Sequence, residues 1–343
     1  MKLPHCIALV VLLFFSCMDN PQIGAKLYAQ PKVCGLNFVA PPRPYTDNPM
    51  VEVEAVAANW IAVIPYAFTR DGQPNVHYNA HKWQWWGERP EGCQRTVELA
   101  KAHHLKVMLK PQVYVPGSWT GAIDFKEATD WEQWEADYEA YILPMADMAE
   151  TIGVDLFCVG TEFKIGAVKR PEFWRKLIKK VRERYSGQLV YAANWDEYQS
   201  ITFWDELDYI GINAYFPLVN SATPSVKSLE QAWSPIAKQI KAFAQRVQKP
   251  VLFTEFGYLS VDGCAYNTWE LEGQINQLDI NEQAQANALD ALFGTFWHTS
   301  YWAGGFLWKW FPEMKGHEGY PAKDYTPQGK LAEKNLKSWY LRK

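Results

Sequence analysis

Short apolar runs alternate with longer, helix-length segments along most of the chain. Runs of four to eight apolar residues bounded by Pro, Gly or polar turns are typical of strands buried on both faces. Eight runs, each followed by a helix-length segment, predict parallel strands joined by crossovers. The predicted strands are 33–39, 60–66, 106–110, 156–159, 189–193, 208–214, 251–254 and 304–308. We therefore predict a single-domain α/β fold, a (β/α)8 TIM barrel, over residues 33–343.

Two of the apolar runs end on a glutamate. Residues 155–163 (DLFCVGTEF) lead to Glu162, and residues 250–258 (PVLFTEFGY) contain Glu255. A carboxylate at the end of a buried strand costs several kcal/mol unless it is paired or used. The separation of 93 residues matches three βα units of about 31 residues in a barrel of roughly 250. We therefore expect both carboxylates at the mouth of one barrel, where such folds place their active sites.

Amides, a phenol and indoles surround the two acids at the predicted strand ends. The full set is Lys110, Gln112, Glu162, Asn194, Trp195, Tyr215, Glu255, Trp308 and Trp310. The chain holds 17 Trp, and the flat indole face with its edge N–H suits the faces of sugar rings. Trp119 and Trp269 are either rim packing or outer sugar subsites. These residues together predict a carbohydrate-binding site, although Lys110 could instead form a structural salt bridge with a strand-end carboxylate.

Five sequence segments resemble the clan of barrel glycosidases that carry the acid/base on strand four and the nucleophile on strand seven. They are LKPQVYVPGSWTG (109–121), CVGTEF (158–163), DYIGINAYFPL (208–218), FTEFGY (253–258) and GGFLWKW (304–310). Within the clan the chain most resembles glycoside hydrolase family 113, whose characterised members are β-1,4-mannanases. The resemblance covers nearly all of the predicted mature chain.

The resemblance implies a retaining, endo-acting β-mannanase. It makes Glu162 the general acid/base, Glu255 the nucleophile and Tyr215 a hydrogen-bond donor to the nucleophile, with Trp308 as the floor under the cleaved sugar. Thr161 stands where many clan members have an Asn that binds the 2-hydroxyl, so another group, such as Asn194, would have to serve that hydroxyl. Two alternatives remain open: the same chemistry on another β-linked hexose polymer, as in a β-glucanase, and a non-catalytic glycan-binding lipoprotein.

The first residues predict export. Residues 7–15 form an apolar run of signal-peptide length, too short to span a bilayer, and Cys17 ends a sequence resembling a bacterial lipobox. We expect a signal peptide over 1–17, a tether over 18–32 and a lipid anchor on Cys17 at the bacterial cell surface or periplasmic face. Cleavage near Ala29, which would give a secreted protein, is the alternative.

The net charge and the sequence motifs limit the kinds of partner and ligand that we expect. A net charge of −4 argues against nucleic acid, and no nucleotide-binding or zinc-hydrolase motif occurs, so we expect no cofactor and no metal. His77 and His81 lie four apart in a loop and are expected to be a hydrogen-bonded loop pair. Four cysteines beyond the leader permit disulfides without specifying a pairing: Cys34, Cys93, Cys158 and Cys264. We expect a monomer.

Overall fold

The computed structural model describes residues 31–78, 84–313 and 321–342. The strands in these ranges are β1 (Val33–Phe38), β2 (Trp60–Val63), β3 (Tyr66–Phe68), β4 (Lys106–Leu109), β5 (Gln112–Tyr114), β6 (Leu156–Thr161), β7 (Gln188–Asn194), β8 (Tyr209–Asn213), β9 (Val251–Phe256) and β10 (Trp302–Trp310). Eight parallel strands close into a barrel in the order β1, β10, β9, β8, β7, β6, β4, β2, and the chain belongs to the (β/α)8 TIM-barrel class. All eight predicted barrel strands are confirmed.

Helices pack around the barrel as crossovers. In the described part of the chain they are α1 (Met50–Ala55), α2 (Pro90–Ala102), α3 (Ala128–Thr151), α4 (Lys164–Lys169), α5 (Pro171–Arg182), α6 (Val226–Val247), α7 (Thr268–Leu271), α8 (Glu282–Phe296) and α9 (Leu331–Tyr340). Pro90 and Pro171 begin α2 and α5, where a missing N–H costs nothing. Between β7 and β8 a 3-10 turn, Trp204–Glu206, replaces an α-helix. Within the described ranges no helix has the length and apolarity needed to cross a membrane.

A small second sheet extends the barrel mouth. The predicted strand 60–66 divides into β2 and β3, because Pro65 cannot donate a ladder hydrogen bond. β3 pairs in parallel with β5, and His77 forms an antiparallel bridge with Phe68. His81 lies outside the described residues. This extension raises one wall of the mouth above β2 and β4.

The core has two layers. Inside the barrel, apolar side chains of all sizes pack together; they include Val33, Ala62, Met108, Leu156, Cys158, Val190, Leu252 and Phe306. A larger layer fills the space between strands and helices. The four cysteines that could have paired, Cys34, Cys93, Cys158 and Cys264, are each free and buried, so the disulfides that the sequence permits do not form. The predicted leader, and the predicted tether up to residue 30, lie outside the described residues.

Three barrel strands are irregular near their carboxyl ends. The register shifts between Cys158 and Thr161 on β6, between Phe253 and Glu255 on β9, and between Leu307 and Trp310 on β10. An extra residue in one strand changes which face the following side chain occupies. The shifts lie on the strands that carry Glu162, Glu255 and Trp308, and they therefore set the directions of the side chains at the barrel mouth.

Candidate active site

Glu255 on β9 is surrounded by hydrogen-bond donors. The buried ammonium group of Lys110 contacts Oε1, and the Gln112 amide donates to the same oxygen over 3.1 Å. The Tyr215 hydroxyl donates to Oε2 over 2.8 Å. Burial, and then the charge of Glu255, raises the pKa of Tyr215 well above its ordinary value, so the phenol keeps its proton. A cation and two neutral donors therefore fix the direction of this carboxyl group.

Glu162, directly after β6, has a different environment. Asn213 donates its amide to Oε1 over 2.8 Å, and the indole N–H of Trp119 donates to Oε2 over 2.7 Å. Burial first, and then the charge of Glu255, raises the pKa of Glu162, while the two donors act in the opposite direction. The two carboxyl groups therefore lie within electrostatic reach of each other, and their interaction favours the protonated form of Glu162.

The backbone at Glu162 is unusual. Its φ is 56°, in the left-handed region that costs a non-glycine residue roughly 1 kcal/mol or more. Its N–H donates to the Ala192 carbonyl on β7, and its carbonyl accepts from Lys164 N, both over 2.8 Å. These contacts turn the chain out of β6 so that the side chain reaches the mouth of the barrel.

Trp308 on β10 lies beside the Glu255 cluster and lines a cavity. The Lys110 ammonium lies 5.7 Å from the Trp308 ring centroid, which joins this indole to the Glu255 cluster. A cavity of about 480 Å³ adjoins Trp308. Its other lining residues are mostly apolar or aromatic with a few polar groups, and they include Asn37, Tyr66, Phe68, Trp85, Glu88, Tyr114 and Lys309. Such a lining suits the faces and hydroxyls of sugars.

Three tryptophans in loops and in a short helix form an aromatic rim: Trp119, Trp195 and Trp269. Trp195, after β7, stacks on Trp269 of α7 with ring centroids 5.7 Å apart. Trp269 is 45% exposed and Trp119 is 38% exposed. The exposed faces of these indoles border the mouth of the barrel.

Three predicted sugar ligands have other contacts. Trp310 is fully buried in the layer between strands and helices, so it does not line the site; the register shift on β10 turns it outward. Lys110 is fully buried and binds Glu255, as in the salt-bridge alternative. Asn194, at the end of β7, donates its amide to Asp196 and accepts from Trp195 N in the loop that follows.

Asn213 was not predicted as a site residue. It is fully buried inside the apolar run of β8, where its amide oxygen accepts from Thr254 over 2.8 Å while its nitrogen donates to Glu162. A buried amide needs hydrogen-bond partners. An Asn at the end of an apolar strand, two residues before the predicted site residue Tyr215, was therefore the sequence signal that could have identified it.

The sequence profile of Glycoside Hydrolase Family 113 matches residues 43–330. The chain belongs to glycoside hydrolase family 113. Its membership makes it a glycoside hydrolase with a carbohydrate substrate. No curated protein sequence matches the chain.

Solved structures agree with this family assignment. A family 113 β-1,4-mannanase superposes with a TM-score of 0.78 at 25% identity, over 92% of this chain and 100% of that one. The β-mannanase AaManA of Alicyclobacillus acidocaldarius gives 0.76 at 25% identity, over 91% and 98%. The β-glucuronidase of Ruminococcus gnavus shares the fold alone, with a TM-score of 0.61 at 14% identity over 92% of this chain and 50% of that one.

Proposed function

We propose that this family 113 glycoside hydrolase is a retaining, endo-acting β-1,4-mannanase that cleaves mannan or mannooligosaccharides by double displacement. The observation that carries the proposal is the contrast between two neighbouring carboxyl groups. Glu255 is held by a cation and two neutral donors, whereas burial and Glu255 raise the pKa of Glu162. Such a pair supplies one nucleophile and one acid.

In the first step Glu255 attacks the anomeric carbon while Glu162 gives its proton to the glycosidic oxygen. The bond between that carbon and oxygen breaks, and the leaving sugar departs with the proton. In the second step Glu162 takes a proton from water, the hydroxide oxygen bonds to the anomeric carbon, and Glu255 is released. The Tyr215 hydroxyl and Lys110 hold the nucleophile through both steps.

The aromatic surfaces suggest where the polymer lies. Trp308 and the adjoining cavity would receive the sugars that stay bonded to Glu255. Trp119, already bonded to the acid, and the Trp195–Trp269 stack would contact the leaving-group side. Manno specificity is supported by the structural likeness to β-1,4-mannanases.

The N-terminal segment supports the proposal that the protein acts outside the cytoplasm and is anchored through Cys17. Loss of the membrane-bound fraction in Cys17→Ala would test this.

The test is hydrolysis of mannan, glucomannan, carboxymethylcellulose and xylan by the purified protein, followed by reducing ends and product lengths. Glu162→Gln and Glu255→Gln should each lose about 10²–10⁴-fold or more of the activity on mannan. Glu183→Gln, an exposed glutamate after α5, is the matched control and should keep it. Proton NMR of the first product should show the β-anomer. Near-normal hydrolysis by both variants, or an α-anomer first, would contradict the proposal, and cleavage of cellulose instead of mannan would indicate a β-glucanase.

A further inference from the structure

A further glutamate is buried near Glu162. Glu197 lies in the loop after β7 and is 1% exposed. Its backbone N–H donates to the Asn194 carbonyl over 3.0 Å, which closes a tight turn. Burying a carboxyl group costs several kcal/mol, and Glu197 has no place in the two-step reaction described above. Its position therefore requires a separate explanation.

Two hydrogen bonds connect Glu197 to the peptide next to Glu162. The Tyr191 hydroxyl donates to Glu197 Oε1 over 3.1 Å, and the same hydroxyl accepts from the backbone N–H of Phe163 over 2.8 Å. Tyr191 is fully buried on β7. The connection runs from the Glu197 carboxyl through one phenol to the residue that directly follows Glu162.

The carboxyl group decides which way the Tyr191 proton points. A phenol has one proton and acts as both donor and acceptor. When Glu197 accepts a hydrogen bond from this hydroxyl, the lone pairs of the phenol oxygen face the Phe163 N–H. Without an acceptor at this place the hydroxyl is free to rotate, and the Phe163 N–H loses a fixed partner. A fixed partner matters here because Glu162 holds a left-handed φ of 56° that the surroundings must stabilise.

We propose that Glu197 is a positioning residue: through Tyr191 it fixes the Glu162–Phe163 peptide, and so aims the Glu162 carboxyl at the glycosidic oxygen. The inference rests on the proposed role of Glu162 as acid/base. Glu197 is a positioning rather than a catalytic residue, because its side chain is buried and accepts its hydrogen bond from Tyr191 rather than from Glu162. Its effect reaches the reaction only through the direction of Glu162.

Glu197 performs this role as a neutral acid. Burial, and then the charge of Glu162, raises the pKa of Glu197 to about 8. Its Oε2 has no hydrogen-bond partner in the described structure, and a buried carboxyl oxygen without a donor disfavours the ionised form. A glutamine at this place keeps the accepting oxygen and the neutral state, so it should replace Glu197 in function.

The experiment compares four variants by kcat/KM on two substrates. One is a mannooligosaccharide, whose leaving group needs protonation; the other is a dinitrophenyl β-mannoside, whose leaving group does not. Tyr191→Phe and Glu197→Leu should lose about tenfold or more on the first substrate and little on the second, because only protonation by Glu162 is impaired. Glu197→Gln should stay within about twofold of wild type on both. Tyr185→Phe removes a similar buried bond, to the Val154 carbonyl over 2.9 Å at the amino end of β6, and should leave both values unchanged.

Other outcomes overturn the inference. Equal losses on both substrates in Tyr191→Phe would mean a general structural role, and a Glu197→Gln variant as impaired as Glu197→Leu would exclude positioning by an accepting oxygen. If Glu197→Leu fails to fold, Tyr191→Phe and Glu197→Gln still test the positioning role. If the wild type cleaves neither substrate, the proposed function fails, and crystal structures decide the positioning role alone: φ of Glu162 must change in Tyr191→Phe and not in Tyr185→Phe.

Discussion

Trp119 donates its indole N–H to the carboxylate of Glu162 over 2.7 Å, so an aromatic side chain at the rim is bonded directly to the proposed acid. Asn213 occupies the other carboxylate oxygen. Both bonds favour the ionised form, whereas burial and Glu255 favour the protonated one. The protonation of Glu162 is therefore a balance that a single rim residue can change.

Trp119→Phe should shift the alkaline limb of the pH–activity profile to higher pH. The change keeps an aromatic ring but removes the N–H that lowers the pKa of Glu162. The active form of a general acid is protonated, and activity is lost as pH rises through its pKa. A higher pKa therefore extends activity to higher pH in a profile of kcat/KM. Trp269→Phe, which removes another exposed rim indole, is the control and should leave the limb in place. An unmoved or lowered limb in Trp119→Phe would count against this balance.

Lys110→Met should destabilise the protein far more than a surface lysine change. Lys110 and Glu255 are both buried, and removal of one partner leaves a buried charge unpaired, which costs about 3–5 kcal/mol. Lys164→Met breaks the more exposed pair with Asp196 and should cost about 1 kcal/mol or less. Urea unfolding of both variants measures the two free energies. Similar small losses would mean that the buried Lys110–Glu255 pair contributes no more to stability than the more exposed pair.

The stability of Glu197→Gln should depend on pH in a defined direction. The folded protein keeps the Glu197 proton up to about pH 8, while the unfolded chain releases it near its usual value of 4.5. Between these values folding takes up a proton, so this group lowers the free energy of unfolding as pH rises. The glutamine variant lacks that loss, so its free energy of unfolding at pH 8 should exceed that of the wild type by about 2–4 kcal/mol. Near pH 4.5 the two should be nearly equal. Urea unfolding at both pH values checks this, and a constant difference would contradict it.

The strand pattern was predictable because each barrel strand is buried on both faces. Runs such as LVYAA and WIAVIPY are dictated by local burial, and their alternation with helices leaves few topologies. The pair Glu162 and Glu255 followed from the same reasoning, since strand ends meet at the mouth. The small sheet of β3 and β5 was missed, because its two strands are only three residues long.

The side-chain directions at the mouth were not predictable from periodicity. Alternation along an ideal strand would turn Trp308 and Trp310 to the same face, but the register shift on β10 separates them. Asn213 and Glu197 were missed for a related reason. Asn213 bonds to Glu162, and Glu197 bonds to Tyr191. In each pair the partner belongs to another element of the fold, so local sequence does not reveal it.

Trp308 and Trp310, at the carboxyl end of β10, should therefore respond to substitution in opposite ways. Trp310 is fully buried among apolar side chains, and Trp310→Ala should cost about 3–5 kcal/mol of unfolding free energy with kcat per folded molecule retained. Trp308 is only partly buried and borders the cavity, so Trp308→Ala should cost less stability but reduce kcat/KM strongly. Urea unfolding and kinetics normalised to the folded fraction measure both quantities. If Trp310→Ala reduced kcat/KM as much as Trp308→Ala at equal folded fraction, the outward direction of Trp310 would have to be abandoned. The simple strand alternation that predicted it as a sugar ligand would then apply after all.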